Sequence, residues 1–318
     1  MASTEEILHD FSPFFRVLKC GRVDRLIGNV TVPASVDPAT GVRSKDVIIN
    51  AESGVSARLY LPKSIDTGHK LPLFVYIHGG AFVIDTAFSP LYHTFLNNLA
   101  AEANIIVVSV DYRRAPEHPL PIAYEDSWDA ILWAASHSSG NGQEAWLNEY
   151  ADFQSVFFSG DSAGANIAHN MAMLAGSEKV EGMHVEGIVL VHPFFWGKTP
   201  VGGEPADPES RAFCEKLWLY ANPGSSGIDD PLVNPGADLK IWSLGCKRVL
   251  VFVAEKDSLR HRGIYYKELL ENSGWGGKVE FVENKDEDHV FFLFNPTSNN
   301  AVSLVRSVAS FINEGKTE

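Results

Sequence analysis

Apolar and polar positions along the chain alternate between short unbroken apolar runs and longer stretches of helical spacing. The runs have strand length: Asp46–Asn50 and Val55–Leu61 around a turn at Glu52-Ser53-Gly54, then Leu73–Ile77, Ile105–Val110, Val156–Phe158, Gly187–Val191, Val249–Val253 and Val279–Val282. Helical patterns fall between them at 91–103, 123–137, from Ala165 to about Leu174, at 259–273 and at 298–313. Continuous apolar strands alternating with helices predict an α/β fold, with a mostly parallel sheet covered on both faces. Residues 194–246 interrupt the alternation. They are rich in Pro, Gly and Asp around an apolar patch (Phe213, Leu217, Trp218, Leu219, Tyr220) and read as an inserted lid. Residues 1–20 place Ile7, Leu8, Phe11, Phe14, Phe15, Val17 and Leu18 at roughly helical spacing, with Pro13 limiting any helix to short pieces, and 21–45 read as an extended connector. The expected organisation is one domain over 1–318, with cap elements from about 1–40 and 194–246.

One stretch carries chemistry. After the run Val156–Phe158 comes Gly160-Asp161-Ser162-Ala163-Gly164, followed by a helical pattern. A G-x-S-x-G sequence between strand and helix is a nucleophile elbow, a turn so tight that the residues two before and two after the serine must lack side-chain bulk. A serine hydroxyl is a weak nucleophile until a base takes its proton, and the base needs an acid to orient it. In this context the chain order is Ser, acid, His. Asp257 follows the strand Val249–Val253, with Glu255 as a neighbouring alternative, and His289 is the only histidine after His261. The candidate catalytic set is therefore Ser162, Asp257 and His289. An oxyanion needs preorganised N–H donors, each worth about 2.7–4 kcal/mol when removed. Ala163 supplies one, and the loop His78-Gly79-Gly80-Ala81 after an earlier strand supplies the others. His78 reads as a structural loop residue, His118 between two prolines as part of a rigid turn, and His169 as a packed residue of the elbow helix.

Composition narrows the partners. With 26 basic against 40 acidic residues the formal net charge is −14, which argues against nucleic acid and against an anionic membrane surface. No run of 18 apolar residues is present, no metal-ligand spacing and no dinucleotide G-x-G-x-x-G appear, and the expectation is no cofactor and no metal. Three cysteines without a C-x-x-C pair, and an acidic N-terminus without an apolar signal core, predict a cytosolic protein in which Asn29-Val30-Thr31 stays unmodified. Oligomeric state is not fixed by the sequence.

The assembled motifs give the chain a resemblance to the plant carboxylesterases of the hormone-sensitive-lipase-like α/β-hydrolase group. It rests on Tyr76-Ile77-His78-Gly79-Gly80, the stretch Asp111-Tyr112-Arg113-Arg114-Ala115-Pro116-Glu117-His118-Pro119, Gly160 to Asn166, and Glu287-Asp288-His289. Lys19 to Leu26 and His192-Pro193-Phe194-Phe195-Trp196 are similar to plant members in particular. The resemblance implies Ser162, Asp257 and His289 as a triad, Gly79, Gly80 and Ala163 as the oxyanion frame, and a small-molecule ester as substrate. Ala81 stands where many members carry a third glycine, tolerable unless that position needs a positive φ. The group also holds gibberellin receptors that have lost the histidine, dehydratases to which Phe194-Phe195-Trp196-Gly197 is similar, and cyclases. This chain keeps both Ser162 and His289. The expectation is a serine carboxylesterase of small to medium, largely apolar esters, with a dehydratase, lyase or cyclase as the alternative and a receptor-like binding protein behind it. Phe82, Trp196 and Phe291 are candidates for the pocket wall, with plain core as the other reading.

Overall fold

The computed structural model describes residues 6–64 and 68–314. The chain opens with three short strands, β1 (Ile7–Phe11), β2 (Phe15–Leu18) and β3 (Val23–Arg25), paired antiparallel in that order. This corrects the helical spacing expected for 1–20 over residues 6–20; residues 1–5 lie outside the described residues. Phe15 and Val17 are buried while Arg16 between them is not, so period two wins over period 3.6. Pro13 sits in the turn joining β1 to β2, where the Asp10 carboxylate accepts the Ser12 N–H at 2.9 Å.

The central sheet follows: β4 (Arg43–Asn50), β5 (Val55–Leu61), β6 (Leu71–Ile77), α1 (Pro90–Ala103), β7 (Ile106–Asp111), α2 (Ile122–Ala135), α3 (Ala145–Tyr150), β8 (Ala151–Asp161), α4 (Ala163–Ser177) and β9 (Val185–Val191). After the insertion, which contains α5 (Pro208–Ala221), come β10 (Arg248–Ala254), α6 (Arg260–Asn272), β11 (Lys278–Asn284), α7 (Phe291–Phe294) and α8 (Asn299–Asn313). Strand order is β11-β10-β9-β8-β6-β7-β5-β4. The strands from β11 to β7 run parallel, and β5 and β4 add an antiparallel edge. The unbroken apolar strands have the expected consequence. Leu73, Val75 and Ile77 of β6 enter the core shared with α2 and α4, while Phe74 and Tyr76 enter the opposite core with α1 and α8.

The insertion is more regular than its composition suggests. The side chain of Asp207 caps α5 by accepting the Ser210 N–H at 2.9 Å, and Pro208 occupies the first helical position, where its missing N–H is harmless. The apolar patch thus lies on a helix. Tyr220 of α5 packs on Phe11 and Phe15, with ring centroids 5.1 and 5.7 Å apart, so the N-terminal sheet and the insertion pack together above the strand ends.

Candidate active site

β8 ends at Asp161 and α4 begins at Ala163, leaving Ser162 between them at φ 51 and ψ −119. A Cβ on Gly164 would lie 2.0 Å from the Ile77 carbonyl oxygen, and one on Gly160 would lie 2.4 Å from the Gly164 carbonyl carbon. Both positions therefore require glycine for close backbone approach. The Ser162 N–H bonds to the Val191 carbonyl at 2.9 Å, and the Phe194 N–H bonds to the Ser162 carbonyl at 2.9 Å. These bonds hold the strained residue from the next strand.

Ser162 Oγ lies 2.9 Å from His289 Nε2, and His289 Nδ1 lies 2.6 Å from Asp257 Oδ2. The other carboxylate oxygen of Asp257 accepts the Leu259 N–H at 2.9 Å. Burial acts to raise the Asp257 carboxyl, but the charge and hydrogen bond of His289 outweigh it and hold the group below its ordinary value. Burial acts to lower His289, and the Asp257 carboxylate reverses that, raising the imidazole above its ordinary value. Glu255, the alternative acid, accepts the Asp286 N–H at 2.8 Å and serves the neighbouring turn. His78 stacks on Tyr112 at 4.3 Å, and burial pushes it down to about 3. His169 bonds to the Tyr266 hydroxyl at 3.0 Å and is likewise lowered by burial to about 3.

In the loop expected to hold the oxyanion, the Gly79 amide is already occupied. Gly79 directs its N–H to the Asp161 carboxylate at 3.0 Å and the Tyr92 hydroxyl at 2.9 Å, away from the reaction centre. Gly80 and Ala81 line the cavity beside Ser162 instead. Ala81 has φ 58, so the position does need left-handed backbone, which costs an L-residue about 1–2 kcal/mol. Ala163, the first residue of α4, presents its N–H at the helix start, where backbone donors lack intrahelical acceptors.

The cavity over Ser162 has a volume of about 480 Å³ and a mostly apolar wall, including Ile84, Leu91, Phe194, Phe213, Leu217 and Leu293. Phe14 and Ile27 of the N-terminal segment join it. Of the two readings for the three aromatic candidates, wall or core, the core reading holds. Phe82 is fully buried against Phe194 and Trp218, at 5.9 and 6.1 Å. Trp196 lies beneath the guanidinium groups of Arg211 and Arg262, at 4.7 and 5.5 Å. Phe291 turns under the base, against His192 and Phe292. Each is core, because the backbone next to a catalytic residue does not dictate that the neighbouring side chain faces the cavity.

Two residues escaped the sequence reading. Asp161 is buried and accepts the hydroxyls of Tyr76 at 2.7 Å and Tyr92 at 3.0 Å, and its signal was its place inside the elbow motif. His192, in the stretch singled out above, packs behind His289. Among the described residues, His192, Asp257 and His289 form the one group whose ligand atoms approach closely enough for a metal, within 4.8 Å, but Asp257 and His289 already bond to each other. No helix among those residues is long and apolar enough to cross a membrane.

Comparison with known proteins agrees with this geometry. A family model described as an alpha/beta hydrolase fold matches residues 74–293. The chain is 49% identical over 311 residues to probable carboxylesterase 7 of Arabidopsis thaliana, covering 97% of this chain and 99% of that one. It is 44% identical over 320 residues to a 2-hydroxyisoflavanone dehydratase of Glycyrrhiza echinata, covering 98% and 97%. Among solved structures, an esterase of Pyrobaculum calidifontis superposes with a TM-score of 0.68 at 30% identity, over 85% of this chain and 84% of that one.

Proposed function

We propose that this chain, which belongs to the α/β-hydrolase family, is a serine carboxylesterase working through an acyl-enzyme. The observation that carries the proposal is the hydrogen-bonded line from Ser162 Oγ through His289 to Asp257, opening on a mostly apolar cavity. Ser162 Oγ attacks the ester carbonyl carbon while His289 Nε2 takes its proton, and Asp257 Oδ2 accepts the Nδ1–H and stabilises the imidazolium. The N–H groups of Gly80, Ala81 and Ala163 receive the charge developing on the carbonyl oxygen. His289 returns the proton to the departing alkoxide, and the alcohol leaves. Water then enters and attacks the acyl carbon while His289 takes its proton; the bond to Ser162 Oγ breaks as His289 returns that proton to it, and the acid leaves. Small to medium, largely apolar esters suit the cavity wall. The three cysteines are unpaired, Cys20 on the surface, which suits a reducing compartment.

The dehydratase relatives favour a second reading, in which His289 removes a proton from carbon and a hydroxyl departs without acylation of Ser162. A parallel assay of p-nitrophenyl butyrate and a 2-hydroxyisoflavanone separates the two. The proposal expects kcat/KM for the ester to exceed that for elimination by orders of magnitude, and the reverse order would replace it with the dehydratase.

A further inference from the structure

His192 follows the last residue of β9 and takes the left-handed conformation at φ 49, and its N–H bonds to the Phe252 carbonyl of β10 at 3.0 Å. The ring is about 1% exposed and packs against Phe291 and Phe292. Its Nδ1 accepts the backbone N–H of Val290, the residue after the base, at 2.9 Å. Val290 itself sits at φ 49. With Nδ1 as acceptor, the neutral ring carries its proton on Nε2, and that buried atom has no hydrogen-bond partner among the described residues. The ring centroid lies 5.8 Å from that of His289, and one nitrogen of His192 is within 4.8 Å of a carboxylate oxygen of Asp257 and a nitrogen of His289.

His289 thus stands on a loop whose backbone is left-handed at the next residue, and His192 holds that residue's amide from inside the sheet. We infer that His192 is a positioning residue for the base: its rigid, neutral ring fixes the Val290 amide and so aligns the His289 imidazole between Ser162 Oγ and Asp257. Burial, followed by repulsion from a charged His289, pushes His192 down to about 3, so it remains uncharged wherever a triad operates. A neutral ring is what the role requires, because only a deprotonated Nδ1 accepts the amide.

The inference rests on Ser162, His289 and Asp257 acting as a triad, and two variants test it with p-nitrophenyl butyrate. His192→Ala removes the acceptor, whereas His192→Asn places an amide oxygen near the position of Nδ1. The expected result is a kcat lowered about 10- to 100-fold in His192→Ala with KM changed less than about twofold, as misplacement by an ångström produces. His192→Asn is expected to recover most of that loss. The acid limb of the kcat/KM profile is expected to stay in place, because His192 does not titrate there. A folded His192→Ala with wild-type kcat would overturn the inference, and so would equal losses of kcat in the two variants. If His192→Ala fails to fold, His192→Asn decides alone: a kcat close to wild type supports the role, and a folded protein with a loss above about tenfold refutes it. A wild type inactive on every ester would remove the triad reading itself, whereas an active wild type matched by His192→Ala removes only the role of His192.

Discussion

The carboxylate of Asp161 accepts the backbone N–H of Gly79 at 3.0 Å, which ties the residue before Ser162 to the loop proposed to carry the oxyanion donors. A Cβ on Gly79 would lie 2.4 Å from that carboxylate, so the contact also requires glycine. Burial pushes the Asp161 carboxyl up to about 6, against the hydroxyls of Tyr76 and Tyr92, the nearby His289 and the Gly79 amide. A carboxyl whose folded pKa exceeds its ordinary 3.8 holds its proton more tightly when folded. Wild type should therefore lose stability relative to Asp161→Asn as pH rises from about 4 to about 6, by up to about 3 kcal/mol, and hold level above that. Urea unfolding of both proteins between pH 4 and 7 measures the difference, and a pH-independent gap would contradict the assignment.

The raised pKa of His289 sets the acid limb of activity. The base acts only when neutral, so kcat/KM should fall as pH drops through a midpoint above 6.5. Asp257→Asn removes the charge that raises it. The midpoint should move down, and kcat at pH 7 should fall by about 10⁴-fold through loss of the productive tautomer. Paired pH–rate profiles check both effects, and an unmoved midpoint would dissociate Asp257 from the base.

Gly164→Ala should damage the elbow without touching a catalytic group. Its Cβ would meet the Ile77 and His78 carbonyl oxygens at 2.0 and 2.6 Å, both backbone atoms that cannot step aside. A loss of about 3 kcal/mol or more is expected by urea unfolding, at the upper end of overpacking costs. A variant of wild-type stability would mean that the elbow is looser than described.

A buried ionic cluster joins the insertion to α6. Glu204 accepts from Arg211 at 3.0 Å and from Arg262 of α6 at 2.5 and 2.8 Å, with Trp196 beneath both guanidinium groups. Glu204→Ala leaves Arg262 buried without its counter-charge, while Arg211 keeps Glu215 at 3.3 Å, and should destabilise by about 3–5 kcal/mol. A denaturation midpoint equal to wild type would show that α5 does not depend on this cluster.

The parts legible in the sequence are those set by contiguous chemistry. Unbroken strands announced the sheet, and the spacing of Gly160, Ser162 and Gly164 announced the elbow. The lost parts depend on side-chain direction or on long-range packing. Phe11, Phe14, Phe15 and Leu18 fit a helical face while Phe15 and Val17 fit a strand, and only pairing between β1 and β2 selects the strand. Phe82 follows Ala81 at φ 64 and turns into the core, while Phe213 and Leu217 reach the cavity from α5. Gly79 drops out of the proposed donor set because Asp161 already takes its amide, a contact that no local pattern encodes.

The central claim is an ester bond formed at Ser162, and intact-mass analysis of the enzyme quenched during turnover of p-nitrophenyl butyrate tests it most directly. The account predicts a species heavier by one butyryl group, located on the peptide containing Ser162 and absent from Ser162→Ala, which also loses turnover. Rapid hydrolysis that persists in a folded Ser162→Ala, or a butyryl group carried elsewhere, would contradict it.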